Sequence, residues 1–200
     1  MDLGSVPLHP GSVFFVRASR KCLRRRTALL PRLYCRCDGG SKHGENKALE
    51  ASVKHQLDIV ADSGAKPEIL EFFRNQVIAL KSGLGSDHGR FDGDTVRIED
   101  TVEAPQRPII LHELLHAYHA KVLPGNVENP DVLLFYGRAK NNALYPANEY
   151  LMRNPKEFFA VTASLYLWGN VDREPHTREN LKAKQPIYYE WLGKLFGVQK

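Results

Sequence analysis

Apolar residues recur along much of the chain with the spacing of helical faces. From Lys47 to Ala61 they fall at Leu49, Val53, Leu57 and Val60, one side of a helix. From Pro67 to Lys81 they fall at Ile69, Leu70, Phe73, Val77 and Leu80, which predicts a second helix over that whole stretch. Residues 95–99 alternate instead, with Val96 and Ile98 on one side, and Asp92-Gly93 marks a turn just before them. That pattern predicts a short strand. A third helix spans about 108–122, opening at Pro108 and stopping at Pro124-Gly125. Residues 124–131 read as a loop, 132–136 as a short strand or helix, and 137–148 as irregular chain lining a cleft. A fourth helix opens with Asn154 as its cap and Pro155 at its first position, and carries Phe158, Val161, Leu165 and Trp168 on one face. A last helix covers Pro186 to Phe196, its aromatic residues fitting a core better than a ligand site.

The third helix contains His112-Glu113-Leu114-Leu115-His116. Residues four apart differ by ~40° around a helix and ~6 Å along it, so two imidazoles can converge on one ion. Glu113, beside the first of them, can reach a water on that ion. Leu111, Leu114, Leu115 and Tyr118 give the helix a core-facing stripe, so its histidines need partners. A catalytic zinc site requires a third protein ligand. The extended HExxHxxGxxH pattern fails here, because its glycine position is His119 and its last histidine position is Val122. His119 lies ~10 Å along the axis from His112, too far to share its metal, and reads as a partly exposed histidine flanking the cleft. Glu157, in the first turn of the fourth helix, is the better third ligand, with Glu149 as its rival.

His112-Glu113-x-x-His116, followed at 41 positions by Glu157 in Asn154-Pro-Lys-Glu-Phe-Phe-Ala, resembles the zinc-binding core of the anthrax lethal factor catalytic domain and its relatives. These are gluzincin-type metallopeptidases. The resemblance covers roughly residues 90 to 170. It implies Glu157 as the third ligand and Tyr150 as a phenol assisting catalysis; Tyr145 is the fallback for that task. The chain differs from the family in having little sequence elsewhere, so substrate choice does not carry over. The implied fold is α+β and mostly helical, a zincin-like domain with a small sheet preceding the HExxH helix. The implied activity is peptide hydrolysis with one Zn²⁺ per chain, held by His112, His116 and Glu157. Glu113 serves as general base toward a metal-activated water, and Tyr150 as oxyanion donor. The strand at 95–99 is expected to pair with an extended peptide substrate. Two alternatives remain at this point: an inactive zincin-like binding module, or a zinc hydrolase with a non-peptide substrate. The presence of Glu113 favours an enzyme.

Charge divides the chain unevenly. The formal net charge is +5, but residues 1–40 alone carry +6, leaving the remainder near neutral. A nucleic-acid surface is therefore not indicated for the body. Residues 1–44 are expected to be a poorly ordered basic leader, with residues 45–200 forming the catalytic domain. The leader's longest apolar run, Val13 to Val16, is too short for a signal-peptide core or a membrane span, so the compartment stays open, cytoplasmic or exported by another route. All three cysteines, Cys22, Cys35 and Cys37, lie in this leader, which excludes a disulfide framework from the body.

Overall fold

The computed structural model describes residues 33–34, 43–169 and 177–200. In chain order its elements are β1 (Leu33–Tyr34), α1 (His43–Ala61), α2 (Pro67–Arg74), β2 (Val77–Lys81), β3 (Gly89–Phe91), β4 (Thr95–Glu99), α3 (Ile109–Lys121), α4 (Pro130–Asn141), α5 (Pro155–Leu167), α6 (Arg178–Lys184) and α7 (Pro186–Phe196). The protein is mostly helical with one small sheet that precedes α3. The expected leader, residues 1–44, lies outside the described residues apart from β1 and the start of α1. Among the described residues no helix is long and apolar enough to cross a membrane.

The sheet runs β1-β2-β4-β3. β2 and β4 pair in parallel, Val77 opposite Thr95 through Lys81 opposite Glu99, while β3 folds back antiparallel on β4. The hairpin between them turns at Asp92-Gly93, where Gly93 takes φ 98° and Asp92 accepts the Thr95 backbone N–H at 3.1 Å. Glycine is needed there because a Cβ would strain that positive φ. Val96 and Ile98 face the core as the alternation predicts. β4 is an inner strand, however, with both edges already paired. The expectation that it would receive a substrate strand is therefore corrected: β3 holds that edge of the sheet.

The helix predicted over 67–81 is divided. α2 ends at Arg74 with Asn75 as its C-cap, and Gln76 turns its side chain back to donate to the Phe72 carbonyl at 2.9 Å, satisfying an end-of-helix acceptor. Beyond it, Ile78 and Leu80 are buried, Val77 and Ala79 half-buried and Lys81 exposed, a period of two. Pairing with β1 and β4 decides the conformation of this apolar run, which local propensity leaves ambiguous. The second correction concerns residues 130–141. They form α4, so the irregular segment expected at 137–148 is helical over its first part, and none of it lines the cleft described below. Asn129 caps α4 by accepting the Val132 N–H at 3.0 Å, and Val132, Phe135 and Ala139 are buried at helical spacing.

α3 lies at the centre, packed against α5, α1 and strands β3 and β4. It is apolar nearly all round, with Ile110, Leu111, Leu114, Leu115 and Ala117 fully buried, as a helix enclosed by others must be. α5 is similarly enclosed. Its Phe158 stacks on Tyr188 of α7 at 5.2 Å, and Tyr188 meets Phe135 of α4 at 4.8 Å. These aromatic contacts tie α4 and α7 to α5 and fix how α5 presents its first turn to α3.

Candidate metal centre and cleft

The start of α3 has no side-chain cap of its own. Gln56 of α1, only 1% exposed, reaches across instead. Its Nε2 donates to the Arg107 carbonyl at 2.8 Å, and its Oε1 accepts the Ile110 N–H at 3.4 Å. One buried amide thus satisfies a donor and an acceptor at the opening turn, which holds the backbone two residues before His112. At α5 the cap acts on the candidate ligand directly: Asn154 Oδ1 accepts the N–H of Glu157 at 3.0 Å.

These two helix starts bring three donor atoms together. His112 Nε2 and His116 Nε2 lie 3.0 Å apart, and each lies 3.3 Å from Glu157 Oε2. His112, His116 and Glu157 form the one cluster of metal-ligating type among the described residues. Donors held about 2.0–2.2 Å from an ion at tetrahedral angles stand roughly 3.3–3.5 Å apart. Both imidazole–carboxylate sides of the triangle match that spacing, and the imidazole–imidazole side, at 3.0 Å, is a few tenths of an ångström shorter. Glu157 Oε2 is also buried with no hydrogen bond of normal geometry, an acceptor left facing the point where an ion would sit. Burial alone would raise the Glu157 carboxyl, but the two imidazoles outweigh it and hold the group well below the usual carboxylate range. It is thus a carboxylate at neutral pH, as a ligand must be. The residues present fit a divalent ion with two nitrogen ligands and one oxygen ligand, a donor set that suits zinc.

Glu113 faces the same cleft but sits deeper, at 4% exposure. Burial pushes its carboxyl up to about 7, with the nearby Glu157 adding to the rise; the charge on His116 and a hydrogen bond from the Phe91 backbone N–H oppose it. The edge strand β3 therefore supports this carboxylate from its backbone, and Gly89 of the same strand makes room for it. A Cβ at Gly89 would stand 2.7 Å from Glu113 Oε1 and 2.9 Å from its Cγ. Gly89→Ala must displace either the carboxylate or the strand. We expect that variant to keep its zinc and to lose at least tenfold in turnover, as measured by metal content and initial rates; unchanged turnover would show that Glu113 has slack at this contact.

Tyr150 occupies a short 3-10 turn just before α5, 37% exposed, with its ring 6.3 Å from that of His112. Burial and the negative charge and hydrogen bonding of Glu157 raise its phenol strongly, so it stays protonated and able to donate. Tyr145 does not share this position. It is buried, its hydroxyl accepts from Gln185 Nε2 at 3.1 Å, and it lines neither half of the cleft, so it is set aside as the alternative phenol. Glu149 is outside the donor cluster. His119 is also corrected: it is fully buried, its ring 4.9 Å from Phe159, and burial depresses it to about 4, which keeps it neutral.

The cleft has two halves sharing Asp87, Glu113 and Tyr150. One, of about 280 Å³, continues past Arg107, Ile109 and Val161; the other, of about 420 Å³, continues past β3, His116 and Arg153. The loop before β3 supplies Ser86 and Asp87, and Arg107 donates to the backbone carbonyls of both. Sequence reasoning passed over this loop and over Gly89. A glycine inside a short strand is the one available signal, since it marks close backbone approach.

No family model matches the chain. A Pro-Pro endopeptidase of Paenibacillus alvei is 35% identical over 86 residues, an alignment covering 43% of this chain and 37% of that protein. The solved structure of the Pro-Pro endopeptidase PPEP-2 from Paenibacillus alvei overlaps 82% of this chain and 97% of its own, at 22% identity and a TM-score of 0.46. The chain thus shares sequence with a peptidase over somewhat more than a third of that enzyme's length.

Proposed function

We propose that the chain is a zinc-dependent metallopeptidase of zincin-like, gluzincin type, binding one zinc through His112, His116 and Glu157. The observation that carries this reading is the donor triangle with sides of 3.0, 3.3 and 3.3 Å, with a buried glutamate one residue from its first member. Zinc held there supplies a Lewis acid that acidifies water and polarises a carbonyl. Glu113 takes a proton from the attacking water and delivers it to the departing amine. Tyr150, protonated and beside His112, donates a hydrogen bond to the developing oxyanion. The outer edge of β3, where Glu113 does not already hold it, pairs with the extended peptide. Sharing residue stretches with a Pro-Pro endopeptidase makes a bond between two prolines the first substrate to test.

Purified full chain, loaded with zinc, is expected to cleave Pro-Pro-containing peptides or members of a proteome-derived peptide mixture. A chelator should stop cleavage and added zinc restore it. Stoichiometric zinc with no cleavage in either assay would favour the binding-module reading, and hydrolysis of esters alone would favour a non-peptide substrate. Tyr150→Phe is expected to retain zinc and KM while kcat falls by about 10²-fold, the cost typical of removing one oxyanion donor. An unchanged kcat would remove the phenol from the mechanism.

A further inference from the structure

The half of the cleft on the His116 side carries Arg90, Arg153 and Lys156 on its wall. All three are exposed, and none forms an ion pair among the described residues. Two of them occupy an unfavourable place. Arg153 precedes the α5 cap and Lys156 lies in its first turn, at the positive end of a 13-residue helix where a cation costs stability. Basic residues also stand in the last turns of α2, α4, α6 and α7, where the dipole favours them, although Lys66 and Arg178 share the helix-start placement. The acids of this cavity are Asp87, Glu113 and Glu157. Glu113 and Glu157 are occupied with proton transfer and with the ion, whose two positive charges they offset, so the three cations exceed what Asp87 can balance. Within the same wall, His119 is fully buried with both ring nitrogens lacking a hydrogen-bond partner.

We infer that this half of the cleft is an anion-recognising subsite, which binds a carboxylate of the peptide substrate near the scissile bond through Arg90, Arg153 and Lys156. This rests on the metallopeptidase reading and supplies a substrate class for it: peptides acidic on one side of the cleaved bond. Exposed cations select modestly, and three acting together are expected to favour an acidic over a neutral residue by about fivefold.

The test uses the full zinc-loaded chain bearing Glu113→Gln, immobilised, to retain members of a randomised decapeptide mixture identified by mass spectrometry. At low salt, Asp and Glu should be enriched about fivefold among retained peptides, and 0.5 M NaCl should erase that enrichment. Adding Arg153→Glu and Lys156→Glu should abolish it or turn it toward Lys and Arg. Both positions are exposed and the new charges suit a helix start, so the variant should melt no lower than its parent. The same mixture with amidated C-termini separates the two sources: Asp and Glu enrichment that persists assigns side-chain carboxylates, whereas retention that falls on amidation with no Asp or Glu enrichment in either mixture assigns the terminal carboxylate and overturns the acidic side-chain preference. Absence of acidic enrichment, or enrichment that survives the charge reversal, would overturn the subsite. Cleavage by the Glu113-bearing chain is scored separately, so failure of the peptidase reading remains distinguishable from failure of the subsite.

Discussion

Glu113→Gln is expected to leave one zinc per chain and to reduce peptide cleavage by about 10³-fold or more. The two side chains have the same shape. Glutamine keeps an oxygen that can accept the Phe91 N–H, and it fits the same space opposite Gly89. It cannot accept a proton from water, however, nor pass one to the leaving amine, and general acid–base catalysis commonly contributes 10²–10⁴-fold. The donor triangle contains no atom of residue 113, so metal content should not change. Nor should the fold weaken, because a neutral amide is less costly to bury than a carboxylate. Zinc analysis, a thermal melt and single-turnover rates on one preparation separate these effects. Turnover near that of the parent, with zinc in place, would remove Glu113 from the proton path and return the mechanism to an unassigned base.

Glu157→Ala should have the largest effect on the metal itself. It removes the only carboxylate of the cluster and leaves two imidazoles 3.0 Å apart, an incomplete set for zinc. Groups that merely orient ligands alter affinity by 10–100-fold, so losing a ligand should exceed about 100-fold. Competition with a chromogenic chelator measures this directly. The parent should also melt higher with zinc than without it, because an ion that binds the folded state alone stabilises it by mass action. The variant should show little of that increment. The Asn154 cap and the aromatic packing of α5 lie outside the deletion, but the apo variant loses the contacts of the carboxylate with both imidazoles, so the zinc-dependent increment and not the apo melting temperature is the measure. Full zinc retention by Glu157→Ala would move the third ligand elsewhere, with Glu149 tested first.

The candidate donor cluster of His112, His116 and Glu157 is readable in the sequence because each part is local. His112 and His116 are one helical turn apart, and Asn154-Pro155 signals a helix start that places Glu157 three residues on. What brings these segments together is not local. The Gln56 bridge spans 54 residues between Gln56 and Ile110, and no periodicity reports it. The division of 67–81 into α2 and β2 depends on neighbours from β1 and β4, and the interior place of β4 depends on the same pairing. α4 could have been found from the signal that revealed α5, since Asn129-Pro130 repeats Asn154-Pro155. The burial of His119 is not legible in the sequence, because helical spacing gives a residue's angle around its own axis, whereas burial depends on what α5 places opposite.

The long reach of Gln56 also sets a limit for dissecting the molecule. A fragment beginning at α2 would still contain every candidate ligand and the proposed general base. It would lack the amide that meets the Arg107 carbonyl and the Ile110 N–H, and each stranded group costs about 1–3 kcal/mol. Fraying would then start two residues upstream of the first imidazole. The shortest segment able to assemble a working centre must accordingly retain the α1 helix, although no atom of that helix is placed in the chemistry.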